Sequence, residues 1–280
     1  MIRNGTYRVH LKMACPHGLL GEGDPLILAE GSAPAGQCRI DLRSLRFVEP
    51  LGLVEVAARA EYHRRRGECV RVLAPLDPSV ANYLARMRLG RALTELGADH
   101  DLPYVREHRL AGQLLELTYF ESTARSDELA AMVYHRVAAD SGASAAALYT
   151  ALCEVGQNVP EHAAVAGGWA AAQVTRQHGQ IWFAVGDCGI GMRRSLAPRG
   201  ARDDADALEM AMDRGWSRFT TAGHGNGLME TCRLVTARRG RVHMVSGRSS
   251  RTVSRTWRQT SVPVMAFPGT LLQGSLPYRP

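Results

Sequence analysis

Lysine is almost absent from this chain, since Lys12 is the only lysine among 280 residues. The absence excludes a phosphate-binding loop of the G-x-x-x-x-G-K-[ST] type, whose lysine reaches the phosphates of a nucleotide. It also excludes a eukaryotic-type kinase site, which depends on a strand lysine. Any nucleotide site in this chain must therefore use backbone amides, a metal ion and arginine.

The chain also lacks the sequence patterns of a cysteine zinc site, a membrane span and a signal peptide. No C-x-x-C pair occurs, and the dispersed cysteines are typical of reduced, mostly buried thiols, so we expect no zinc site. The chain also lacks a run of 18 apolar residues and, at its N-terminus, a signal-peptide pattern. We therefore expect a cytoplasmic protein without a membrane span. The six cysteines are Cys15, Cys38, Cys69, Cys153, Cys188 and Cys232.

Positive charge is in excess, with a net charge of +7 and a pI near 9.4. Such a balance is found in proteins that bind nucleic acids or anionic membranes. Here, however, arginine carries nearly all of the charge, and alanine and glycine are abundant, which is the usage expected from a biased genomic composition. The basic clusters at 64–66 and 238–239 lie at predicted helix ends, where they complement the helix dipole. We therefore expect no nucleic-acid partner.

The order of the predicted elements divides the chain into two domains. Residues 1–100 alternate strands and helices, residues 101–113 form a polar, turn-rich linker, and residues 114–280 form the second domain. The elements predicted in the first domain are strands 7–13, 37–42 and 69–74 and helices 51–66 and 79–88. Those predicted in the second are strands 114–120, 180–187, 242–246 and 270–276 and helices that begin near residues 126, 144, 203 and 228.

A carboxylate and an amide share one face of the helix predicted over 144–162. Glu154 and Asn158 are four residues apart, so their side chains stack on adjacent turns. An ionised Glu can act as a general base, and an Asn carbonyl oxygen suits Mg²⁺. Taken alone, the pair also fits a solvated helix face. Pro160 removes one backbone hydrogen bond nearby, so it either bends the helix at Asn158 or ends it.

Two glycine clusters follow this helix in the chain. In Asp187-Cys-Gly-Ile-Gly-Met192, a carboxylate after a buried strand can accept the exocyclic amine of adenine, and the glycines allow close approach of the backbone. In Gly223-His-Gly-Asn-Gly-Leu228, glycines open a helix whose first amides favour phosphate. An ordinary turn and a flexible loop are the plain alternatives. Arginines between the clusters are enough for a lid over phosphates, or are simply solvated: Arg193, Arg194, Arg199, Arg202, Arg214 and Arg218.

The three motifs, in this order, resemble the N-box, G1 box and G2 box of the GHKL ATPases, the family that includes gyrase and the bacterial histidine kinases. Gly269-Thr270 resembles a fourth family element. The resemblance covers about residues 114–277. It implies that Glu154 activates water or an acceptor hydroxyl, that Asn158 binds Mg²⁺, and that Asp187 with Thr270 holds adenine. The nucleotide-binding residues that it implies are Asn158, Asp187, Gly189, Gly191, Met192, Gly223, Gly225, Gly227, Leu228 and Thr270.

The first domain resembles a STAS domain, the fold of anti-sigma factor antagonists, over about residues 37–96. It departs at 49–52, where antagonists carry D-S-[ST]-G with a phosphorylatable hydroxyl and this chain carries Glu-Pro-Leu-Gly. The usual phosphate acceptor is therefore absent. The two resemblances together imply an α/β and α+β architecture, with a STAS-like α/β domain followed by a GHKL (Bergerat) α/β sandwich.

The resemblance implies a regulatory protein that binds ATP and Mg²⁺, in the manner of anti-sigma-factor serine kinases. It would phosphorylate a partner or hydrolyse ATP slowly, and its partner would be a regulatory protein such as a sigma factor or an antagonist-like protein. The alternative is an interaction module that binds nucleotide only structurally. A sensor histidine kinase is less compatible, because no upstream helical hairpin bears an acceptor histidine. The oligomeric state stays open, with a homodimer among the possibilities.

Overall fold

The computed structural model describes residues 5–9, 28–32, 36–106, 114–175, 179–216, 226–262 and 265–278. These residues form two β-sheets and seven α-helices in a mixed α/β arrangement, so the fold class predicted from the sequence is confirmed. The N-terminal sheet has five strands and the C-terminal sheet has seven. Within the described ranges, every helix is too short or too polar to traverse a lipid bilayer.

The N-terminal sheet has the strand order β2-β1-β3-β4-β5, with β2 antiparallel and the other strands parallel. Along β3 and β4, residues alternate between exposed and buried positions, which places Cys38, Ile40, Val70 and Val72 in the core. The strands are β1 (Gly5–Val9), β2 (Leu28–Ser32), β3 (Gln37–Asp41), β4 (Cys69–Leu73) and β5 (Asp99–His100). The helices are α1 (Pro50–Arg65), α2 (Pro78–Arg86) and α3 (Leu89–Glu95).

The C-terminal sheet is antiparallel throughout, in the order β11-β10-β9-β12-β8-β7-β6. Its strands are β6 (Leu114–Phe120), β7 (Gly168–Thr175), β8 (Gln180–Asp187), β9 (Arg241–Gly247), β10 (Ser249–Ser254), β11 (Arg258–Ser261) and β12 (Phe267–Pro277). Its helices are α4 (Thr123–His162), α5 (Gly191–Leu196), α6 (Asp204–Met212) and α7 (Gly227–Ala237). Strands β8 and β12 lie next to each other at the centre and carry two of the predicted site residues at their ends.

Helix α4 consists of two helical segments that meet at a kink, in agreement with the two helices that the sequence predicts from residues 126 and 144. It begins after Ser122, whose hydroxyl accepts a hydrogen bond from the Arg125 amide at 3.2 Å, and it is interrupted by non-helical backbone at Ser141. The second segment begins after Ser141, a few residues before Ser144, whose hydroxyl donates to the Pro277 carbonyl at 2.7 Å. The helix continues through Pro160 to His162, so the proline does not end it.

The C-terminal sheet is covered on both faces. Helices α4, α6 and α7 contribute to the core on one face, and α1 packs against β7, β8 and β12 on the other. Helix α1 is consequently buried almost all round, from Pro50 to Glu61. The core around α1 includes both Leu53 and Trp169, so the N-terminal and C-terminal halves share one hydrophobic interior. Part of the predicted linker, residues 107–113, lies outside the described residues.

Candidate functional site

A cleft lies on the α4 face of the C-terminal sheet, over the ends of β8, β9 and β12. It is walled largely by apolar side chains from the sheet and from α4, α5 and α7. Four polar side chains open onto it: Asn158, Asp187, Ser195 and Thr270. An apolar cleft with a few convergent polar groups is the usual form of a small-molecule site.

Asp187 ends β8 and is buried, with only 4% of its surface exposed. Burial raises the pKa of this carboxyl from 3.8 to about 7, although hydrogen bonds from the backbone amides of Gly189 and Thr270 lower the pKa. The charge of Glu61, on α1 behind the sheet, adds to the rise. The Gly189 amide lies 2.7 Å from Asp187 Oδ1. A buried carboxyl held by two amides at the base of a cleft is a fixed hydrogen-bonding group for a ligand.

The turn after Asp187 is tied to the neighbouring strands by one serine. Thr270 pairs in register with Asp187 on β8 and with Ser246 on β9. The Ser246 hydroxyl donates to the Gly269 carbonyl at 2.8 Å and accepts from the Met192 amide at 2.9 Å. The buried side chain of Ser246 therefore holds both the start of α5, at Met192, and the strand β12, at Gly269.

Both glycines of the first cluster meet a steric demand. At Gly189 a Cβ atom would overlap the carbonyl of Ala163, to which the amide of Ile190 donates at 2.9 Å. Gly191, the first residue of α5, has a backbone φ of +72°, which residues other than glycine rarely adopt. The turn can therefore pack directly against the end of α4, and it brings the side chain of Met192 to the cleft.

Asn158 and Glu154 occupy different positions at the cleft. Asn158 lines it, and its amide nitrogen donates to the Glu154 carbonyl at 2.7 Å, so the amide oxygen is the atom that can meet a cation. Glu154 lies at the edge, where its carboxylate packs against Gly227. No cluster of three His, Cys, Asp or Glu side chains suited to a metal occurs in the described part of the chain. A Mg²⁺ ion here would therefore draw most of its ligands from phosphate and water.

The second glycine cluster is described only from its third glycine. Gly227 begins α7, and Leu228 is buried and lines the cleft. The first amides of α7 thus lie beside the cleft, near Glu154. Gly223 and Gly225 lie outside the described residues, as do His224 and Arg218.

Sequence reasoning missed Trp216, Ser195 and Ser246. The indole of Trp216 is 38% exposed, lines the cleft and lies under the guanidinium of Arg199, 5.2 Å from the ring centroid. The turn before it is fixed by Gly215, which has φ +64° and packs against Met229 on α7. No motif signals these residues, because their role depends on the packing of separate segments. Of the predicted lid arginines, Arg202 pairs with Asp206 and Arg214 with Glu209.

Comparison with known proteins adds little to this geometry. No protein-family model matches the chain, and no curated protein matches it significantly. Among solved structures, a mycobacterial sensor histidine kinase, MprB, matches with a TM-score of 0.31 and 16% identity, over 59% of this chain and 98% of that one. A likeness this distant carries no argument about activity, so the case for a function rests on the cleft.

Proposed function

We propose that the C-terminal half binds ATP with Mg²⁺ and that the protein works as a nucleotide-dependent regulatory switch of the GHKL type. One observation carries the proposal: Asn158, Asp187 and Thr270, from three separate motifs, line a single cleft. Glycine-rich turns or a Glu-Asn pair alone are common in proteins of many functions. Their convergence on one apolar cavity supports a common ligand.

The adenine ring fits the inner part of the cleft. The carboxylate of Asp187 accepts a hydrogen bond from the exocyclic amine, whereas guanine presents an oxygen at that position and would leave the buried carboxylate opposed to another acceptor. Thr270 lies beside Asp187 on the adjacent strand. The flat ring lies between apolar side chains that include Val185, Met192 and Leu272.

The phosphates extend towards the first turn of α7. An 11-residue helix that begins at the cleft offers unpaired backbone amides and the positive end of its dipole to an anion. The amide oxygen of Asn158 would hold the Mg²⁺ ion, which would supply positive charge to the phosphates. Glu154, at the same edge, acts as the general base towards water or a partner's hydroxyl.

The reaction is slow ATP hydrolysis or transfer to a serine of a regulatory partner, such as a sigma factor or an antagonist-like protein. Both routes need the same base and the same metal-bound phosphates, so the cleft supports them equally. The N-terminal half supplies the contact with the partner. Binding and turnover of ATP in the C-terminal half control the contact between the N-terminal half and the partner.

Isothermal titration of the full chain with ATP and Mg²⁺ tests the binding proposal. Wild type should bind ATP more tightly than GTP. Asp187→Asn should lose both the affinity for ATP and the preference over GTP, because its side-chain amide carries a donor NH₂ group as well as an acceptor oxygen. Absence of ATP binding by the folded wild-type protein would refute the proposal. Equal ATP affinity of Asp187→Asn and wild type would refute the adenine assignment.

Incubation with labelled ATP tests the catalytic step. Glu154→Gln should keep ATP affinity and lose turnover by about 10² to 10⁴-fold, the usual contribution of a general base. Label on a co-purified partner indicates a kinase, and free phosphate alone indicates an ATPase. Unchanged function with Glu154→Ala in cells would indicate that nucleotide binding is structural and that the chain is an interaction module.

A further inference from the structure

One face of α1 is turned to the back of the C-terminal sheet. Leu51, Val54, Glu61 and Arg65 are spaced by whole helical turns and therefore lie on the same side of the helix. Each contacts a residue of the C-terminal half. The Leu51 amide donates to Gln273 on β12 at 3.1 Å, and the Glu61 carboxylate accepts from the indole of Trp169 on β7 at 2.8 Å.

Helix α1 holds both residues that flank Asp187. At Gly186 a Cβ atom would lie 2.8 Å from the Val54 side chain, so the helix and the strand are in direct contact. On the other side, the Arg65 guanidinium lies 3.9 Å from Cys188 Sγ and pairs with Glu61 at 3.6 Å. Because side chains alternate along a strand, residues 186 and 188 face α1 while Asp187 faces the cleft.

The same helix also holds the chain that leads to Thr270. Arg59 donates to the Ala266 carbonyl at 3.2 Å, and its guanidinium lies over the ring of Phe267, 5.0 Å from the centroid. Glu55 fixes this arginine in a buried ion pair at 2.9 Å. Phe267 is the first residue of β12, the strand whose Thr270 pairs with Asp187, and Ala266 comes directly before it.

We propose that α1 of the N-terminal half is a positioning element of the nucleotide site, and that the docking of this helix and the affinity for ATP are coupled. This inference rests on the proposed function. The two segments that hold adenine, at Asp187 and Thr270, are both held from behind by side chains of α1. Separation of α1 would leave the buried turn without its support, so the site loses its geometry. Coupling is reciprocal by thermodynamic linkage, so bound ATP must also strengthen the docking of α1.

Two matched pairs of variants test the inference in the full-length protein. Arg65→Ala removes the contact with Cys188, whereas Arg64→Ala removes the neighbouring arginine, which hydrogen-bonds to Leu96 and Glu68 within the N-terminal half. We expect Arg65→Ala to lower ATP affinity about five-fold, a value at the lower end of usual coupling between sites. Arg64→Ala should leave the affinity unchanged. The ratio of ATP to GTP affinity should fall with Arg65→Ala as well, a change that a loss of overall stability does not produce.

The second pair acts on the sheet side of the same contact. Trp169→Phe removes the donor to Glu61, and Trp182→Phe, at a half-buried position on β8, is its control. Trp169→Phe should lower ATP affinity more than Arg65→Ala does, because it leaves a buried carboxylate short of a partner. If Trp169→Phe does not fold, Arg65→Ala decides the question, since the side chain of Arg65 is 45% exposed and Glu61 keeps its hydrogen bond from Trp169 in that variant.

The reciprocal effect is measured from the alkylation rates of two buried cysteines. Both rates are determined by mass spectrometry of peptides from the same alkylated sample. Cys188 is 6% exposed under α1, and Cys38 is 1% exposed in the N-terminal core, where it reports global unfolding. In wild type, saturating Mg-ATP should slow the alkylation of Cys188 about five-fold and leave the alkylation of Cys38 unchanged. In Arg65→Ala, Mg-ATP should slow the alkylation of Cys188 by a smaller factor.

The outcomes separate the inference from the function on which it rests. Failure of wild type to bind ATP overturns both. If wild type binds ATP but Arg65→Ala and Trp169→Phe bind it as tightly as their controls, the coupling is wrong and the proposed function stands. Equal slowing of Cys188 and Cys38 by ATP would likewise overturn the coupling, because it would show only global stabilisation.

Discussion

Gly227, the first residue of α7, lies directly against the carboxylate of Glu154 on α4, so closely that a Cβ atom at Gly227 would overlap Glu154 Oε2. The contact joins the first motif of the sequence to the last glycine of the third. It also places an acidic group at the positive end of a helix dipole, a favourable position for a carboxylate side chain. The absence of a side chain at position 227 is what lets the candidate base and the candidate phosphate-binding helix meet.

Gly227→Ala should therefore displace Glu154 and disturb the start of α7. We expect ATP turnover to fall at least about ten-fold, whereas the free energy of unfolding should change little, because the overlapping atom is the end of a flexible side chain that can move aside. Gly142→Ala is the control, because a Cβ atom there meets no atom within 4 Å. Turnover assays and urea denaturation measure the two effects. Wild-type turnover in Gly227→Ala would contradict the assigned position of Glu154.

The raised pKa of Asp187 predicts a pH dependence of stability. Burial raises this pKa to about 7, so between about pH 4 and pH 7 the folded protein keeps a proton that the unfolded chain releases. The folded state binds more protons in this window, and the free energy of unfolding therefore falls as the pH rises through it. Asp187→Asn lacks this proton and should gain stability relative to wild type by a few kcal/mol between pH 4 and pH 7, with no further gain above it.

Urea denaturation at several pH values measures this difference in the absence of nucleotide. Asp99→Asn, which removes an exposed carboxylate on β5, is the control for the loss of one negative charge. A constant difference between Asp187→Asn and wild type from pH 4 to pH 8 would show that the carboxyl titrates normally.

Ser246→Ala should weaken the site without touching the ligand. Loss of the hydroxyl leaves the Met192 amide and the Gly269 carbonyl without their partner, at a cost of about 1–3 kcal/mol in stability. ATP affinity should fall about five-fold, because the turn and β12 are no longer tied together. Ser250→Ala, which removes a buried hydroxyl bonded to Ser261 near the sheet edge, should lower stability alone. Calorimetric titration of both variants distinguishes these results.

Trp216 is expected to contact the nucleotide from the open side of the cleft. Trp216→Ala should lower ATP affinity about ten-fold, within the range for loss of an aromatic ring stacked on a base, and Trp216→Phe should retain most of the affinity. Trp257→Ala, in the turn between β10 and β11, is the control. Nucleotide should change the tryptophan fluorescence of wild type and of Trp257→Phe more than that of Trp216→Phe. A fluorescence change as large in Trp216→Phe as in wild type, with unchanged ATP affinity of Trp216→Ala, would place the indole of Trp216 outside the site.

Some elements follow directly from local pattern, and others do not. Strand β8 is predicted with its observed bounds, because an apolar run ends at an aspartate and two glycines. Strand β7 is not predicted, since both faces of its run of small residues are buried and no alternation marks it. Strand β11 is missed for the opposite reason, because all four of its residues are exposed. The start of α4 is misplaced by a few residues because Ser122, rather than Ser126, caps it.

The sequence by itself determined the class of fold and the chemistry of each motif, since helix and strand periods and the properties of Glu, Asn, Asp and Gly are local. Tertiary structure alone decided that Asn158, Asp187 and Thr270 open onto one cleft, that Ser246 closes its turn, and that α1 backs it. The physical reason is that these contacts depend on the order β9-β12-β8 and on a helix shared between two sheets. No pattern within a single segment encodes such an arrangement.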